Sequence, residues 1–220
     1  MIELLMFDAD GVLFDSYESN IAYYNAIFAR IGEPPLDDQE RVASISYAAG
    51  QVFEMRARGR REVLSRMYET ARNLDSTPFF KLLRPPFELR PFMLELKRRY
   101  RLGLATNRSS TVAALVAHLG LADVFDAIAS AHDKVRPKPA PDILALCLKR
   151  AGVTRERALY LGDSPIDREA AQAAGVEFLA VGDRVEHRNR IATLEELDAA
   201  LARLDPADSP IASALKASSR

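Results

Sequence analysis

The segment FDADGVLFDS, residues 7–16, follows the short apolar run ELLM and sets Asp8, Asp10 and Asp15 around a single glycine. Carboxylates at the end of a hydrophobic run are costly to keep near a core unless a donor or a cation compensates them. Far along the chain, YLGDSPID places Asp163 and Asp167 just past a second apolar run, ALYLG. If both runs are strands of one parallel sheet, Asp8, Asp10, Asp163 and Asp167 converge at its carboxyl edge, where such sheets bind ligands. Two carboxylates about 4 Å apart repel by on the order of 4 kcal/mol at an effective dielectric near 20, so a cluster of this kind demands a cation. Oxygen ligands with no His or Cys nearby select a hard ion. Mg²⁺ suits a site of few carboxylates completed by water and a substrate phosphate.

Two other segments offer groups for an anion. ATNRSS puts the Thr106 hydroxyl at the end of an apolar run, ahead of backbone N–H groups and a helix N-terminus expected at 109–111. RPKPAPD holds Lys138 in a proline-stiffened loop before a helix, from which an extended side chain reaches back to the same edge. A divalent cation with a bound phosphate group is the simplest occupant.

The elements that must position these residues follow from periodicity. Short apolar runs at 3–7, 101–106, 126–130, 158–162 and 176–181 alternate with helical patterns at 89–99, 109–119, 140–151 and 165–174. This rhythm predicts an α/β fold, a Rossmann-like parallel sheet with helices on both faces. Residues 16–84 break it. Helix-like runs (SNIAYYNAIFARIG, GRREVLSRMYETAR, TPFFKLLR) are punctuated by GEPP and RPP, and no strand intervenes. The expected organisation is a core of 1–15 and 85–205 with an all-helical insertion of 16–84 after the first strand. Its hinges fall at the loop around Asp15 and at Arg84-Pro85-Pro86. TLEE opens a last helix with a capping box from Thr193 to Glu196, and 206–220 reads as a disordered tail.

Bulk properties exclude several classes. The 220 residues are 48% hydrophobic, enough for one good core and a smaller second unit, and carry a formal charge of -1. A balanced charge gives no basic field to draw nucleic acid. No apolar run approaches the roughly 20 residues of a membrane span, and the N-terminus shows no leader, so neither a membrane partner nor export is expected. The lone Cys147, on an inward helical position of DILALCLKR, fits a reducing cytoplasm.

Taken in order, FDADGV, LATN, KPAP and GDSPID resemble the four motifs of the haloacid dehalogenase superfamily of aspartate-nucleophile phosphohydrolases. The match runs from Phe7 to about Val181. The inserted helices are similar to the cap of phosphoglycolate phosphatases and related sugar-phosphate enzymes. The resemblance implies Asp8 as nucleophile and Asp10 as general acid and base, its main-chain carbonyl facing the metal. It implies Asp163 as a Mg²⁺ ligand, with Asp167 helping directly or through water. Thr106, the Asn107 backbone N–H and Lys138 would hold the transferring phosphoryl group. Asp10 also separates phosphate chemistry from the dehalogenases, which need neither that acid nor magnesium. Val12 departs from the pattern, standing where many members carry Thr. The implied activity is hydrolysis of a small phosphomonoester of phosphoglycolate or sugar-phosphate type. A phosphosugar mutase, a pyrophosphatase or nucleotidase, and an inactive metal-binding regulatory domain are the alternatives.

The remaining conspicuous residues take plainer readings. Asp15 with Glu18 three residues on reads as a helix cap. RARGRR, with Arg56, Arg58, Arg60 and Arg61, reads as a solvated helix face and not as an anion dock. Tyr23, Tyr24, Phe28, Phe79 and Phe80 read as the small core of the helical unit. His118, His132 and His187 match no ligand or catalytic spacing.

Overall fold

Alternate residues of the first apolar run must face opposite sides of any sheet it joins, and a run apolar at every position belongs in the middle. In a computed structural model, which describes residues 1–205, that run is strand β1 (Leu4–Phe7) and every residue of it is buried. Leu5 and Phe7 face one hydrophobic cluster and Leu4 and Met6 the other. The other strands are β2 (Arg101–Thr106), β3 (Ala127–Ser130), β4 (Ala158–Gly162), β5 (Glu177–Val181) and a short β6 (Arg190–Ile191). They form one sheet in the order β3-β2-β1-β4-β5-β6, and all five pairings are parallel. The order reverses at β1, so loops leaving β1, β2 and β4 diverge and open a crevice at their carboxyl ends. β6 is too short to carry a periodic signal in the sequence. No helix of the described residues is long and apolar enough to cross a membrane.

Helices α6 (Leu89–Lys97), α7 (Val112–His118), α8 (Asp142–Ala151), α9 (Pro165–Ala174) and α10 (Leu197–Leu204) accompany the strands. Apolar residues of α6, α7 and α10 join the cluster on one face of the sheet; those of α8 and α9 join the other. Cys147 is fully buried there, as its helical position requires. Two boundaries differ from expectation. α7 begins at Val112 and not at 109, because residues 108–111 stay in a loop beside the crevice. At Thr193 no side-chain cap forms; a short 3-10 turn, Leu194–Glu196, precedes α10, and Glu196 reaches back to the Ala192 N–H instead. The stretch 206–220 lies outside the described residues.

Between β1 and α6 come α1 (Tyr17–Ile31), α2 (Asp38–Ser46), α3 (Ala49–Ala57), α4 (Arg61–Asn73) and the single turn α5 (Thr77–Phe80). They share a hydrophobic cluster of their own, built on Ile27, Phe28, Val52, Phe53 and Met67. The two chain segments that connect these helices to the sheet are tied to each other. Asp15 and Arg84 exchange backbone hydrogen bonds of 3.0 Å in both directions. Asp15 does not cap α1 with Glu18: the N-cap is Ser16, and the Asp15 carboxylate accepts from the Tyr17 N–H at 2.9 Å.

Of the arginines in RARGRR, Arg56 is not on a solvated face. Its guanidinium lies 4.4 Å from the Phe28 ring centroid, donates to Pro34 and Pro35 carbonyls at 3.0 and 2.9 Å, and forms an ion pair with buried Glu40. Removing one partner of such a pair strands the other charge without solvent. Glu40→Ala is therefore expected to cost about 3 kcal/mol or more in urea denaturation. A loss under about 1 kcal/mol, the worth of an exposed pair, would show that the pair is solvated.

Candidate functional site

The site is assembled from the ends of three adjacent strands and one loop. β1 delivers Asp8, whose N–H extends the sheet ladder to the Leu161 carbonyl at 2.9 Å. The chain then turns tightly: Leu13 N–H donates to the Ala9 carbonyl at 3.0 Å and Gly11 N–H to the Phe14 carbonyl at 2.9 Å. Gly11 holds a left-handed φ of 76°, and a Cβ there would stand 1.9 Å from Asp163 Oδ2. Only glycine permits both the turn and the approach of Asp163 from the end of β4.

Lys138 occupies the centre, 1% exposed. Asn107, just past the end of β2, fixes its backbone through a two-way amide clamp. Asn107 Oδ1 accepts from the Lys138 N–H at 2.8 Å, and Nδ2 donates to the Lys138 carbonyl at 3.1 Å. The ammonium then reaches Asp167 Oδ1 at 2.6 Å, the Tyr160 hydroxyl at 2.8 Å and Asp8 Oδ1 at 2.9 Å. The last contact lacks the alignment of a hydrogen bond, so buried Asp8 Oδ1 has no hydrogen-bond partner. Asp167 is fully buried and fully engaged: Oδ1 also accepts from Tyr160 at 2.7 Å, and Oδ2 accepts from the Ser164 N–H at 3.1 Å and from its hydroxyl. It is the third residue of the α9 capping box and the main counter-ion of Lys138 at once.

Carboxylate oxygens of Asp8, Asp163 and Asp167 lie within 4.8 Å of one another. Three carboxylates therefore converge where the sequence suggested four. Asp10 turns its side chain away, onto Arg108: Nε donates to Oδ2 at 2.7 Å and Nη2 to Oδ1 at 2.6 Å. Asn20 of α1 joins them, accepting from Arg108 at 3.1 Å and donating to Asp10 at 3.4 Å. Asp163 pairs with Arg184 at 2.6 Å.

Burial raises the Asp8 carboxyl well above the usual carboxylate range, with Lys138 opposing and Asp167 and Asp10 adding repulsion. Burial and Asp167 likewise raise Asp163, to about 6, against the pull of Arg184. Asp10 and Asp167 go the other way. Burial acts upward on each, but Arg108 beside Asp10 and Lys138 beside Asp167 outweigh it and hold both below the ordinary value. With Asp10 and Asp167 held below the ordinary range, Asp8 and Asp163 are the carboxyls whose protons a cation would displace. Three buried carboxylates offer oxygens within 4.8 Å of one another, with no His or Cys among them, so the residues fit a hard divalent ion.

Every residue singled out for the site lies in this region, in differing states. Asp8, Asp10, Thr106 and Asn107 line one cleft, whose far wall comes from α1, α2, α3 and α5. Lys138, Asp163 and Asp167 lie against Asp8 and outside that lining. Thr106 ends β2, buried, with its hydroxyl accepting from the Arg108 N–H at 3.2 Å. Sequence reasoning missed Arg108, Asn20, Tyr160 and Arg184. Arg108 sits inside ATNRSS, where its charge next to the expected anion cradle was the available signal; the other three had none. Tyr23, Tyr24, Phe79 and Phe80 also face the cleft, and Phe80 packs with the sheet's cluster rather than the helical one.

A family model described as haloacid dehalogenase-like hydrolase matches residues 5–181. A phosphoglycolate phosphatase of Photorhabdus laumondii is 30% identical over 190 residues, 79% of this chain and 77% of that protein. The fructose-1-phosphate phosphatase YqaB of Escherichia coli is 38% identical over 84 residues, 38% of this chain and 45% of that protein. Among solved structures, a haloacid dehalogenase-superfamily hydrolase of subfamily IA from Geobacter sulfurreducens superposes with a TM-score of 0.69 at 29% identity, covering 89% of this chain and 94% of that one.

Gly11→Ala combines a strained φ with the collision at Asp163, whereas Gly59→Ala, at φ 82° with nothing within 4 Å, carries the strain alone. Both are expected to cost roughly 1–3 kcal/mol in chemical denaturation, with Gly11→Ala the larger. Equal losses would mean that Asp163 is not held against the β1 turn.

Proposed function

The chain belongs to the haloacid dehalogenase-like hydrolase family, and on that premise we propose that it is a Mg²⁺-dependent phosphatase that hydrolyses a small phosphomonoester through an aspartyl phosphate on Asp8. One observation carries the reading. Asp8, its Oδ1 ion-paired with the buried Lys138 ammonium at 2.9 Å, lines a cleft together with Asp10 and Thr106.

The carboxylates of Asp8 and Asp163, with the Asp10 main-chain carbonyl, would hold the cation, and Asp167 serves through Lys138. When bound, Mg²⁺ offsets the charge on the phosphoryl oxygens and lets Asp8 stay ionised beside them. A carboxylate oxygen of Asp8 attacks phosphorus as the bond to the leaving oxygen breaks, and Asp10 delivers a proton to that oxygen. In the second half Asp10 takes a proton from water, which attacks the same phosphorus. The Asp8–phosphorus bond breaks, and inorganic phosphate leaves. Lys138 and the Thr106 hydroxyl bear the phosphoryl charge throughout. Lys138 is fit for this because burial alone would lower its pKa, while Asp167 and Asp8 raise it and keep it charged. Arg108 holds Asp10 ionised, as its step with water requires. For its step as acid the guanidinium has to release one of its two bonds.

Residues 16–84 act as a cap over the site, moving about the two connecting segments bridged at Asp15 and Arg84. Closure excludes bulk water, so that the aspartyl phosphate meets a single positioned water. The substrate is a small phosphorylated metabolite, and the balanced charge suits a cytoplasmic enzyme with no nucleic-acid partner.

Hydrolysis of p-nitrophenyl phosphate with Mg²⁺ tests the reaction. Asp8→Asn should reduce turnover to background and Asp10→Asn by about a hundredfold to ten-thousandfold, with circular dichroism unchanged for both. Substantial activity in Asp8→Asn would overturn the nucleophile assignment.

Metal binding should also depend on pH in a definite direction. Asp8 and Asp163 have folded pKa values above their unfolded ones, so the metal-free protein holds protons that the unfolded chain has released. Its stability falls as pH rises from the ordinary carboxylate range through about 6 for Asp163 and higher for Asp8. A cation that replaces those protons stabilises more as pH rises. The increase in melting temperature caused by Mg²⁺ should therefore grow between about pH 5 and 8. A constant or shrinking increase would contradict the site.

A further inference from the structure

The loop after β5 is pinned at both ends. Gly182 takes a left-handed φ of 82°, and Val185 is buried in the cluster shared with α8 and α9, so Asp183 and Arg184 are carried between two fixed points. β5 pairs with β4, which brings the carboxyl ends of the two strands side by side. Arg184 thereby meets Asp163, its Nη1 donating to Oδ2 at 2.6 Å.

Lys138 and Arg184 both pair with carboxylates of the cluster formed by Asp8, Asp163 and Asp167, and they differ in their access to water. The Lys138 side chain is 1% exposed and is held between Asp167, Asp8 and the Tyr160 hydroxyl. It is built in. The Arg184 side chain is 38% exposed, against 7% for Asp163, so its guanidinium reaches a buried carboxylate from the solvent side and regains water when it lets go. That asymmetry makes Arg184 the partner that can be exchanged. There is room for the exchange. Asp163 lines a second groove, together with Asp15, Tyr17, Asp183 and Arg184, and is absent from the lining of the cleft. The exposed Asp183 offers the released guanidinium another carboxylate in that groove.

Charge decides what displaces it. With Asp8, Asp163 and Asp167 ionised, three carboxylates stand against one ammonium, and one divalent cation balances the surplus. A guanidinium within hydrogen-bond distance of Asp163 repels a divalent cation at that carboxylate, whichever oxygen the cation takes. We infer that Arg184 is a displaceable counter-ion of Asp163: it competes with the divalent cation for that carboxylate, and binding of the cation sends the guanidinium into the groove beside Asp183. Arg184 thereby lowers the cation affinity of the site, and without the cation it keeps Asp163 from being a buried charge with no partner. The inference rests on the metal site of the proposed phosphatase and adds to it a residue that regulates loading.

Three measurements on the full chain, at one fixed pH, test the competition. Mg²⁺ is titrated by calorimetry into the unmodified protein and into Arg184→Gln, each first stripped with a chelator. Loss of the competitor should tighten binding at least about fivefold. In urea without metal, Arg184→Gln should lower the unfolding midpoint, and in an Asp163→Asn background it should lower it by less than about half as much. In the unmodified protein, Mg²⁺ should speed the modification of Arg184 by phenylglyoxal, read by peptide mass spectrometry, because the guanidinium moves into water. That labelling decides the matter even if Arg184→Gln fails to fold. Mg²⁺ binding that is unchanged or weaker in Arg184→Gln, as a bystander or a residue orienting Asp163 toward the metal would give, overturns the inference and leaves the phosphatase reading standing. Labelling that Mg²⁺ slows or leaves alone does the same, as does an equal midpoint loss in the two backgrounds. If neither protein binds Mg²⁺, both readings fall. If binding tightens while p-nitrophenyl phosphate is inert with the unmodified protein, the phosphatase reading fails and the competition stands.

Discussion

A buried ammonium between two carboxylates is the contact on which the rest of the structure depends. Lys138 has left water almost completely, and only the combined pull of Asp167 and Asp8, with the Tyr160 hydroxyl, offsets that loss. The geometry is asymmetric. Asp167 gives Lys138 a well-aligned bond and has all its own lone pairs engaged; Asp8 gives a contact without alignment and keeps one oxygen unsatisfied. Full satisfaction on one side is what makes the frustrated carboxylate on the other tolerable.

Asp10, two residues along, shows the opposite solution. Its carboxylate is over-supplied with donors from Arg108, Asn20 and Ser16, and is held ionised. Asn20 makes this a shared arrangement between the two parts of the chain. Its amide, on α1, also donates to the Ser44 carbonyl on α2 at 3.0 Å. The inserted helices thus hold one end of the contact that orients Asp10.

The aromatic residues show how one segment serves two purposes. Phe28 of α1 and Phe53 of α3 close the core of the helical unit, while Tyr23 of α1 and Phe79 of α5 line the cleft. On α1, residues 24, 27, 28 and 31 share the inward stripe and residue 23 lies beside it, so that Tyr24 belongs both to the core and to the cleft wall.

How much of this was legible in the sequence depended on the range of the interaction concerned. Short apolar runs separated by helical periods dictate strands and helices locally, so β1 to β5 and the helices that follow them were visible in the sequence. α2 and α3 were not read from it, although Asp37 and Glu40 form a capping box at the start of α2 that its spacing displays. The acids of the site were legible because residues at the ends of parallel strands must meet at one edge, whatever their separation along the chain. Which carboxylate faces which cation was not legible. That Asp10 turns to Arg108, that Asp167 is spent on Lys138 and Ser164, and that Arg56 is buried on Glu40 while its neighbours stay outside are all choices between partners close in space and far apart in sequence. Spacing along the chain fixes only where a strand or helix begins and which face a residue takes; the pairing of buried charges is decided by the packing that removes the water between them.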